Sequence, residues 1–201
     1  MKNLYLFGGG GHSLSCIDII QNQKIFNIKG VFDKNFSSKK KILSYPLIKE
    51  DTLLIKKLKG KNFGLVTVGQ IKTPNLRIKI FSKMKEYGFK PATVISSNSK
   101  IYKNVKIGEG TIIMHNAFVN SSTNIGFNCI INSKAHIEHD VSIGDHTHIS
   151  TGAFVNGGVK IGLKSFIGSG VITKQCISIP MYPELDDDSI RYISKNLSKY
   201  K

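Results

Sequence analysis

The feature that most constrains this chain is a six-residue repeat in its second half. From Ile95 to Ile167 every sixth residue is Ile or Val, thirteen times in succession. Four residues after each anchor the side chain is small or β-branched, as at Thr111, Ala117 and Ala153. Neither a helix, with about 3.6 residues per turn, nor an alternating strand spaces apolar residues in this way. A fixed short period indicates a repeat architecture, and six residues is the period of a β-helix.

Glycine marks every third repeat, one residue after the anchor. Three hexads therefore close one triangular coil of eighteen residues, and coils stack about 4.7–4.9 Å apart. We expect the anchors to point into the prism and the glycine to relax one corner of each coil. The sequence thus predicts a left-handed parallel β-helix with hexapeptide repeats over residues 93–178. The glycines are Gly108, Gly126, Gly144 and Gly162.

The first ninety residues follow a different pattern, in which short apolar segments alternate with helical ones. This alternation predicts a small Rossmann-like parallel α/β domain over residues 1–92. Residues 179–201 form a separate C-terminal tail with a predicted short helix. Strands are predicted at 2–7, 28–32 and 63–69, and helices at 14–21, 51–58 and 74–87.

A run of four glycines follows the first predicted strand and precedes the first helix. In this arrangement backbone amides and a helix N-terminus bind a phosphate. The spacing fits a dinucleotide fingerprint only loosely, so a mononucleotide is the better interpretation, with a purely structural turn as the alternative. Asp33, about twenty residues after the loop, could bond a ribose or a base. The residues expected to bind the nucleotide are Gly8, Gly10, Gly11, His12, Ser13, Asp33 and Lys34.

Four histidines lie within thirteen residues of the repeat. Histidine clusters often bind zinc, but the eighteen-residue columns place no histidine over another, so no metal site is expected. His139 stands between Ser121 and Gly157 in its column and is followed by Asp140. This pair suits a general base, and the Gly157 N–H could approach an oxyanion. A solvated corner is the alternative interpretation. The clustered histidines are His136, His139, His146 and His148.

The charge is strongly basic but unevenly distributed. The chain carries a formal charge of +16, with 18 Lys or Arg against five acids in residues 1–94 and 11 against eight in residues 95–201. The basic residues are mostly scattered lysines without a nucleic-acid-binding motif, so no nucleic-acid partner is expected. No apolar run approaches the roughly 20 residues that span a bilayer, and no signal peptide is evident. We therefore expect no membrane insertion and a cytoplasmic location.

The loop GGGGHS after the first strand and the segment IEHDVSIGD within the β-helix resemble a known family. They are similar to bacterial sugar acetyltransferases of the sialic acid O-acetyltransferase and UDP-4-amino-sugar N-acetyltransferase (NeuD/PglD-like) type. The resemblance covers residues 1 to about 172. It implies a homotrimer, acetyl-CoA as co-substrate in the groove between subunits, and a UDP-amino sugar held by the N-terminal domain.

The resemblance also implies roles for individual residues. His139 matches the catalytic base and Asp140 its acidic partner, while His148 and Gly157 match residues at the acetyl thioester. After Ile172 the chain departs from the family, in the region where family members often contact the nucleotide part of CoA. Three lysines near this end of the β-helix are the residues expected to contact the rest of acetyl-CoA. The implied reaction is N-acetylation of a UDP-4-amino-4,6-dideoxy sugar in glycan biosynthesis. O-acetylation of a sialic- or legionaminic-type acid and a non-catalytic assembly role are the alternatives. The lysines are Lys160, Lys164 and Lys174.

Overall fold

A computed structural model of the chain describes residues 1–34, 41–49, 58, 60 and 62–173. Within these residues a mainly parallel α/β sheet precedes a three-faced parallel β-helix, which confirms the predicted fold class. The domain boundaries at 92/93 and 178/179 stay predictions. Lys174, the tail helix and all of the helix expected at 51–58 except residue 58 lie outside the described residues.

The N-terminal domain is built on one six-stranded sheet. Its strand order is β3-β4-β2-β1-β5-β6, parallel except for the pairing of β3 with β4. The chain runs outward from β1 to β2 and β4 and then crosses to β5 on the other side. A ligand crevice in such a sheet lies at this reversal, beyond the carboxyl ends of the strands. The elements are β1 (Lys2–Phe7), α1 (Gly11–Gln23), β2 (Phe26–Phe32), β3 (Lys41–Ile42), β4 (Tyr45–Ile48), β5 (Phe63–Val66), α2 (Asn75–Glu86) and β6 (Lys90–Pro91).

Two of these elements differ from the sequence predictions at the crevice. Helix α1 begins at Gly11, three residues before the predicted start, so the last glycine of the loop is its first residue. Strand β5 ends at Val66, three residues before the predicted end. Directly after this strand end, the Thr67 hydroxyl donates to Gly8 O at 2.7 Å and links the segment to the glycine loop.

The β-helix consists of fourteen two-residue strands arranged in three parallel sheets. Face 1 contains β7, β10, β13, β16 and β19, face 2 contains β8, β11, β14, β17 and β20, and face 3 contains β9, β12, β15 and β18. The strands are Val94–Ile95, Lys100–Ile101, Lys106–Ile107, Ile112–Ile113, Phe118–Val119, Asn124–Ile125, Ile130–Ile131, His136–Ile137, Ser142–Ile143, His148–Ile149, Phe154–Val155, Lys160–Ile161, Phe166–Ile167 and Ile172–Thr173.

All thirteen anchors lie in one apolar core inside the prism, as the repeat predicts. The small residues of the second register fill the space beside them, and the hydroxyls among them are bonded to the next coil. Thr111 Oγ1 donates to Gly126 O at 2.8 Å, and Thr147 Oγ1 donates to Gly162 O at 2.9 Å. Polar groups can therefore occupy this interior because each has a partner.

The expected role of the repeat glycines is wrong. From the second anchor, Ile101, onward, the left-handed backbone lies three residues after the anchor, at every sixth residue from Asn104 (φ 63°) to Gly170 (φ 69°). The repeat glycines do not have positive φ, and Gly108, Gly126 and Gly144 are needed because a Cβ there would clash with the backbone of the next coil. A Cβ on Gly108 would lie 2.4 Å from Phe127 N, and one on Gly144 would lie 2.4 Å from Leu163 N.

The N-terminal domain packs on face 1 of the prism. The outward residues Val94, Ile112 and Ile130 belong to the same buried core as Ile17 and Ile20 of α1. The three outward residues of face 1 are apolar where an exposed face would carry polar residues, so the two domains share a hydrophobic interface. No helix in the described part of the chain is long and apolar enough to cross a membrane.

Candidate active site

Two edges of the prism carry histidines in different surroundings. The open edge, where face 2 turns into face 3, consists of Ser121–Ser122, His139–Asp140 and Gly157–Gly158 in successive coils. The covered edge, where face 3 turns into face 1, contains the corner residues Asn128, His146 and Lys164. The N-terminal domain packs against the covered edge, while the side chains of the open edge face outward.

His139 and Asp140 form a close pair on the open edge. His139 Nδ1 lies 2.7 Å from Asp140 Oδ2, and the two side chains are 60% and 64% exposed. Asp140 adopts the left-handed corner conformation (φ 59°), and its N–H donates to Ser121 O at 3.1 Å. Because the carboxylate accepts from Nδ1–H, the lone pair of Nε2 points away from Asp140. An imidazole held in this tautomer can accept a proton from a substrate.

Gly157 lies directly against this imidazole, as expected from its position eighteen residues after His139. A Cβ on Gly157 would stand 3.0 Å from both Cε1 and Nε2 of His139, so a larger residue would displace the ring. Gly158 N–H donates to His139 O at 3.0 Å and ties the two coils together. Within the described part of the chain the Gly157 N–H has no acceptor, so it is available to an oxyanion beside Nε2.

Glu138 is a polar residue of this region to which sequence reasoning assigned no role. Its carboxylate accepts from His136 Nε2 and Asn120 Nδ2, each at 2.8 Å, and these bonds lower the pKa of Glu138. His136 is stacked between Phe118 and Phe154, with ring centroids 4.4 and 4.0 Å away, as the eighteen-residue columns predict. These hydrogen bonds and stacked rings hold the strand His136–Ile137, which precedes His139. Column neighbours of Glu138 could have revealed the contact with Asn120.

His148 lies beside the covered edge and is only 5% exposed. Its Nδ1–H donates to Gln70 O at 2.5 Å, and Nε2 accepts from Asn132 Nδ2 at 3.1 Å. Burial lowers the pKa of His148 to about 4, so the ring is neutral at physiological pH. All of face 3 separates it from His139 within one chain.

The other residues expected to bind acetyl-CoA are also dispersed. Gly157 belongs to the open edge, Lys160 is exposed at the start of a face 3 strand, and Lys164 is a corner residue of the covered edge. One chain therefore does not bring the predicted acetyl-CoA residues together. Their assignment stays a prediction.

A cavity of about 370 Å³ lies beyond the carboxyl ends of β1, β2 and β5, where the sheet predicts a ligand site. Its walls come from the glycine loop, the end of β2, the segment after β5 and one face of α2. Most of the wall is apolar, and Asp33, Lys34 and His12 supply charged or polar groups. The lining residues are Phe7, Gly8, Gly9, Gly10, Gly11, His12, Phe32, Asp33, Lys34, Thr67, Val68, Gly69, Leu76 and Ile80.

The four glycines of the loop serve two purposes. Gly8 has φ +114°, and a Cβ there would meet Val68 Cγ2 at 2.4 Å, while a Cβ on Gly9 would meet Asp33 Oδ2 at 2.6 Å. Gly10 and Gly11 have open space around the Cβ position. Gly10 caps α1 and has no side chain to cover the start of the helix, where an anion site would use the first amides; of these, the Ser13 N–H already donates to Gly10 O at 3.0 Å. Gly9 was not among the predicted site residues.

Two predicted ligand residues hold the loop itself. Asp33 Oδ2 accepts from the Gly9 N–H at 2.5 Å, and the buried Ser13 hydroxyl donates to Gly10 O at 2.6 Å. Ser13 does not line the cavity, whereas Asp33 and Lys34 do. Their roles toward a ligand stay predictions.

His12 lines the cavity and is the first side chain after the glycines. Its Nε2 is buried and has no hydrogen-bond partner among the described residues. Burial, followed by the charges of Arg77 and His148, lowers the pKa of His12 to about 4. His12 is therefore neutral at physiological pH. Among the described residues, no three His, Cys, Asp or Glu side chains are grouped to hold a metal ion.

The fold and these two sites define the class: a ligand-pocket α/β domain joined to a hexapeptide-repeat β-helix. Residues 3–84 match the family described as PglD N-terminal domain, and residues 122–157 match bacterial transferase hexapeptide (six repeats). The chain therefore contains a PglD N-terminal domain followed by bacterial transferase hexapeptide repeats, which confirms the resemblance seen in the sequence.

Solved structures with the same fold include three from bacteria. PerB from Caulobacter crescentus, in complex with CoA and GDP-perosamine, has a TM-score of 0.72 and 24% identity over 89% of this chain and 91% of that one. The acetyltransferase domain of PglB from Neisseria gonorrhoeae, in complex with acetyl coenzyme A, has a TM-score of 0.67 and 20% identity over 87% and 91%. WeeI from Acinetobacter baumannii has a TM-score of 0.58 and 19% identity over 87% and 95%. No curated protein sequence matches the chain.

Proposed function

We propose that the protein is an acetyl-CoA-dependent N-acetyltransferase that acts on a nucleotide-linked 4-amino sugar. The observation that carries the proposal is the His139–Asp140 pair at 2.7 Å with Gly157 against the imidazole. The structural relatives support it, because PerB holds CoA with GDP-perosamine and the PglB domain holds acetyl coenzyme A. Two structures of perosamine N-acetyltransferase carry a histidine replaced by asparagine or alanine.

In the proposed reaction the sugar amine attacks the carbonyl carbon of the acetyl thioester. His139 Nε2 accepts a proton from the amine as the N–C bond forms, and Asp140 stabilises the resulting imidazolium through Nδ1–H. The Gly157 N–H donates to the oxyanion of the tetrahedral intermediate. The C–S bond then breaks, and the proton passes from His139 to the CoA thiolate. The N-acetylated sugar and CoA leave.

The N-terminal cavity would hold the nucleotide part of the acceptor. The free amides at Gly10 and Gly11 suit a diphosphate, and the apolar walls suit a base and ribose. We retain UDP as the proposed nucleotide, with a 4-amino-4,6-dideoxy sugar as the acceptor. Lys34 lies at the cavity and can contact a phosphate.

The reaction site forms between subunits in this proposal. The cavity adjoins the covered edge of one chain, whereas His139 stands on the open edge, a full face away. A second copy that presents its open edge to the cavity would unite them, and we propose the trimer that the family resemblance implies. The outward apolar side chains of face 2 include Phe154, which is 38% exposed, and Ile172, which is 65% exposed. This exposed apolar surface supports self-association beside the open edge.

A thiol-release assay with acetyl-CoA tests this function directly. The acceptor panel should contain UDP- and GDP-linked 4-amino sugars together with free sialic and legionaminic acids. We expect CoA release only with a nucleotide-linked amino sugar, and fastest with the UDP form. Release with free nonulosonic acids alone would show O-acetylation instead, and release with none of them would contradict the proposal.

A further inference from the structure

Arg77 is a fully buried arginine at the junction of the two domains. It belongs to α2 and has no exposed surface. Its Nη1 donates to Val66 O at 2.9 Å and to Val68 O at 2.8 Å, while Nε donates to Asn128 O at 3.2 Å. No carboxylate in the described part of the chain pairs with it. Backbone carbonyls of both domains therefore receive its hydrogen bonds.

Two of these acceptors lie at or next to the acceptor cavity, and the third lies on the covered edge of the β-helix of the same chain. Val66 ends strand β5, and the next two residues, Thr67 and Val68, line the cavity, where the Thr67 hydroxyl donates to Gly8 O. Asn128 is a buried corner residue of the covered edge, and its side chain bonds His146 Nδ1 at 2.9 Å. One rigid guanidinium thus fixes the cavity wall to the β-helix.

Stability alone is a poor explanation for this residue. A buried charge without a counter-ion is unfavourable unless its hydrogen bonds are satisfied, and an apolar side chain would often serve as well. Burial lowers the pKa of Arg77 only to about 10, so the group remains charged at neutral pH. Its Nη2 is buried without a partner among the described residues. The fixed fork of an arginine supplies geometry that no apolar residue can.

Resting on the proposed function, we propose that Arg77 is a positioning residue that sets the place of the acceptor cavity relative to the β-helix. It acts through the wall segment Val66–Val68 and does not touch the substrate. In the proposed trimer a bound sugar extends from the cavity toward His139 of the neighbouring copy, so a shift of the cavity relative to its own β-helix moves the amine out of line. A misplacement of about 1 Å can lower a rate by about 10²-fold.

Arg77→Lys is the test variant, and Lys85→Met is its matched control on the same helix. Lysine keeps the charge, but its single nitrogen cannot span the acceptors of both domains. Lys85 Nζ also links α2 to the β-helix, through Glu109 at 2.7 Å, but both side chains are about half exposed. We expect Arg77→Lys to lower kcat about 10- to 100-fold, with the KM for acetyl-CoA unchanged, because that substrate binds on the β-helix. Lys85→Met should leave both unchanged.

A second measurement does not depend on turnover. Spin labels on cysteines introduced at Leu14 and Leu163, both exposed, with Cys176 replaced by serine, report the distance between the domains. Arg77→Lys should broaden or shift this distance distribution, and Lys85→Met should not. An Arg77→Lys protein that melts earlier but keeps the narrow distribution and normal kcat would show a structural role only. A wild type without acetyl transfer contradicts the proposed function, and the label distances then decide the positioning role alone.

Discussion

The open and covered edges come from the same repeat and yet give their histidines opposite properties. His139 is 60% exposed and bonded to a carboxylate, so it is placed to exchange protons with a substrate. His148 is 5% exposed and bonded to Gln70 and Asn132, and burial lowers its pKa to about 4. The coil geometry is common to both. The N-terminal domain makes the difference, because it covers one edge and leaves the other open.

The comparison teaches that the repeat fixes where the histidines of the β-helix lie. Whether such a histidine is an exposed base or a buried neutral group depends on whether the N-terminal domain covers it. His139 requires only its neighbour Asp140 and the glycine in the coil above. His148 and His12 are made neutral by contacts that join distant parts of the chain. Each of the following experiments challenges one side of this contrast.

Replacement of His139 should have the largest effect. His139→Ala removes the proposed base, and we expect kcat/KM to fall by about 10²- to 10⁴-fold. His148→Asn should lower it less, because His148 is neutral and already bonded on both nitrogens. Steady-state CoA release measures both. Equal losses in the two variants would remove the functional distinction between the edges.

Low pH should lower the free energy of unfolding through the two buried histidines next to the covered edge. Burial lowers the pKa of His12 and of His148 to about 4 in the folded chain, whereas both sites would protonate near pH 6.5 when unfolded. The unfolded chain binds more protons between these values. The contribution of the two neutral histidines to the free energy of unfolding is therefore fully present above about pH 6.5. It is lost as the pH falls toward 4, by about 3 kcal/mol for each histidine.

Urea unfolding at pH 7.5 and pH 5 measures this loss, and His148→Asn should remove part of the difference between the two conditions. A free energy of unfolding that is equal at both pH values would contradict the buried neutral state.

Gly157→Ala should displace the open-edge base without removing it. The new Cβ would lie 3.0 Å from Cε1 and Nε2 of His139, so the ring must shift by a few tenths of an ångström. We expect kcat to fall by less than the roughly 10²-fold loss that a misplacement of about 1 Å can cause. Gly168→Ala is the control, because its Cβ would meet only Val171 Cγ2, at 3.4 Å. Initial rates at saturating acetyl-CoA measure the difference. Normal rates in Gly157→Ala would show that the contact with the ring does not matter.

The smallest effect is expected at an exposed contact between the domains. His115 Nε2 lies 2.7 Å from Asp18 Oδ2, but the Asp18 side chain is 62% exposed. Solvent screens such a pair, so Asp18→Asn should change stability by less than about 1 kcal/mol. Thermal unfolding compares it with Arg77→Lys, which should lose more. A larger loss from Asp18→Asn would reverse the ranking of exposed and buried contacts.

The sequence alone could predict the parts of the molecule that depend on local periodicity. The inward anchors, the stacking of Phe118, His136 and Phe154, and the approach of Gly157 to His139 all follow from the eighteen-residue column. The reason for the repeat glycines was wrong because steric closeness between coils cannot be distinguished from backbone freedom in a sequence.

Contacts between distant segments could not be predicted. Arg77 bonded to Asn128, and Gln70 bonded to His148, depend on how the domains pack, and no spacing in the sequence encodes this arrangement. Asp33 is expected to bond a ribose or a base, which stays a prediction, and its bond to the Gly9 N–H shows that it also shapes the loop. The Ser13 hydroxyl donates to Gly10 O in the first turn of α1, a local contact that was not predicted from the sequence.

The central claim is that the cavity of one chain and the open edge of another form one reaction site. Two inactive variants test it: His139→Ala, which keeps the cavity, and Gly10→Phe, whose ring would enter the open space at the cavity without a backbone clash. The variants are unfolded together, refolded as mixed oligomers and assayed for CoA release. We predict that the mixture regains a substantial part of wild-type activity, because an intact cavity meets an intact His139 across the interface. A mixture as inactive as either variant alone would contradict the claim.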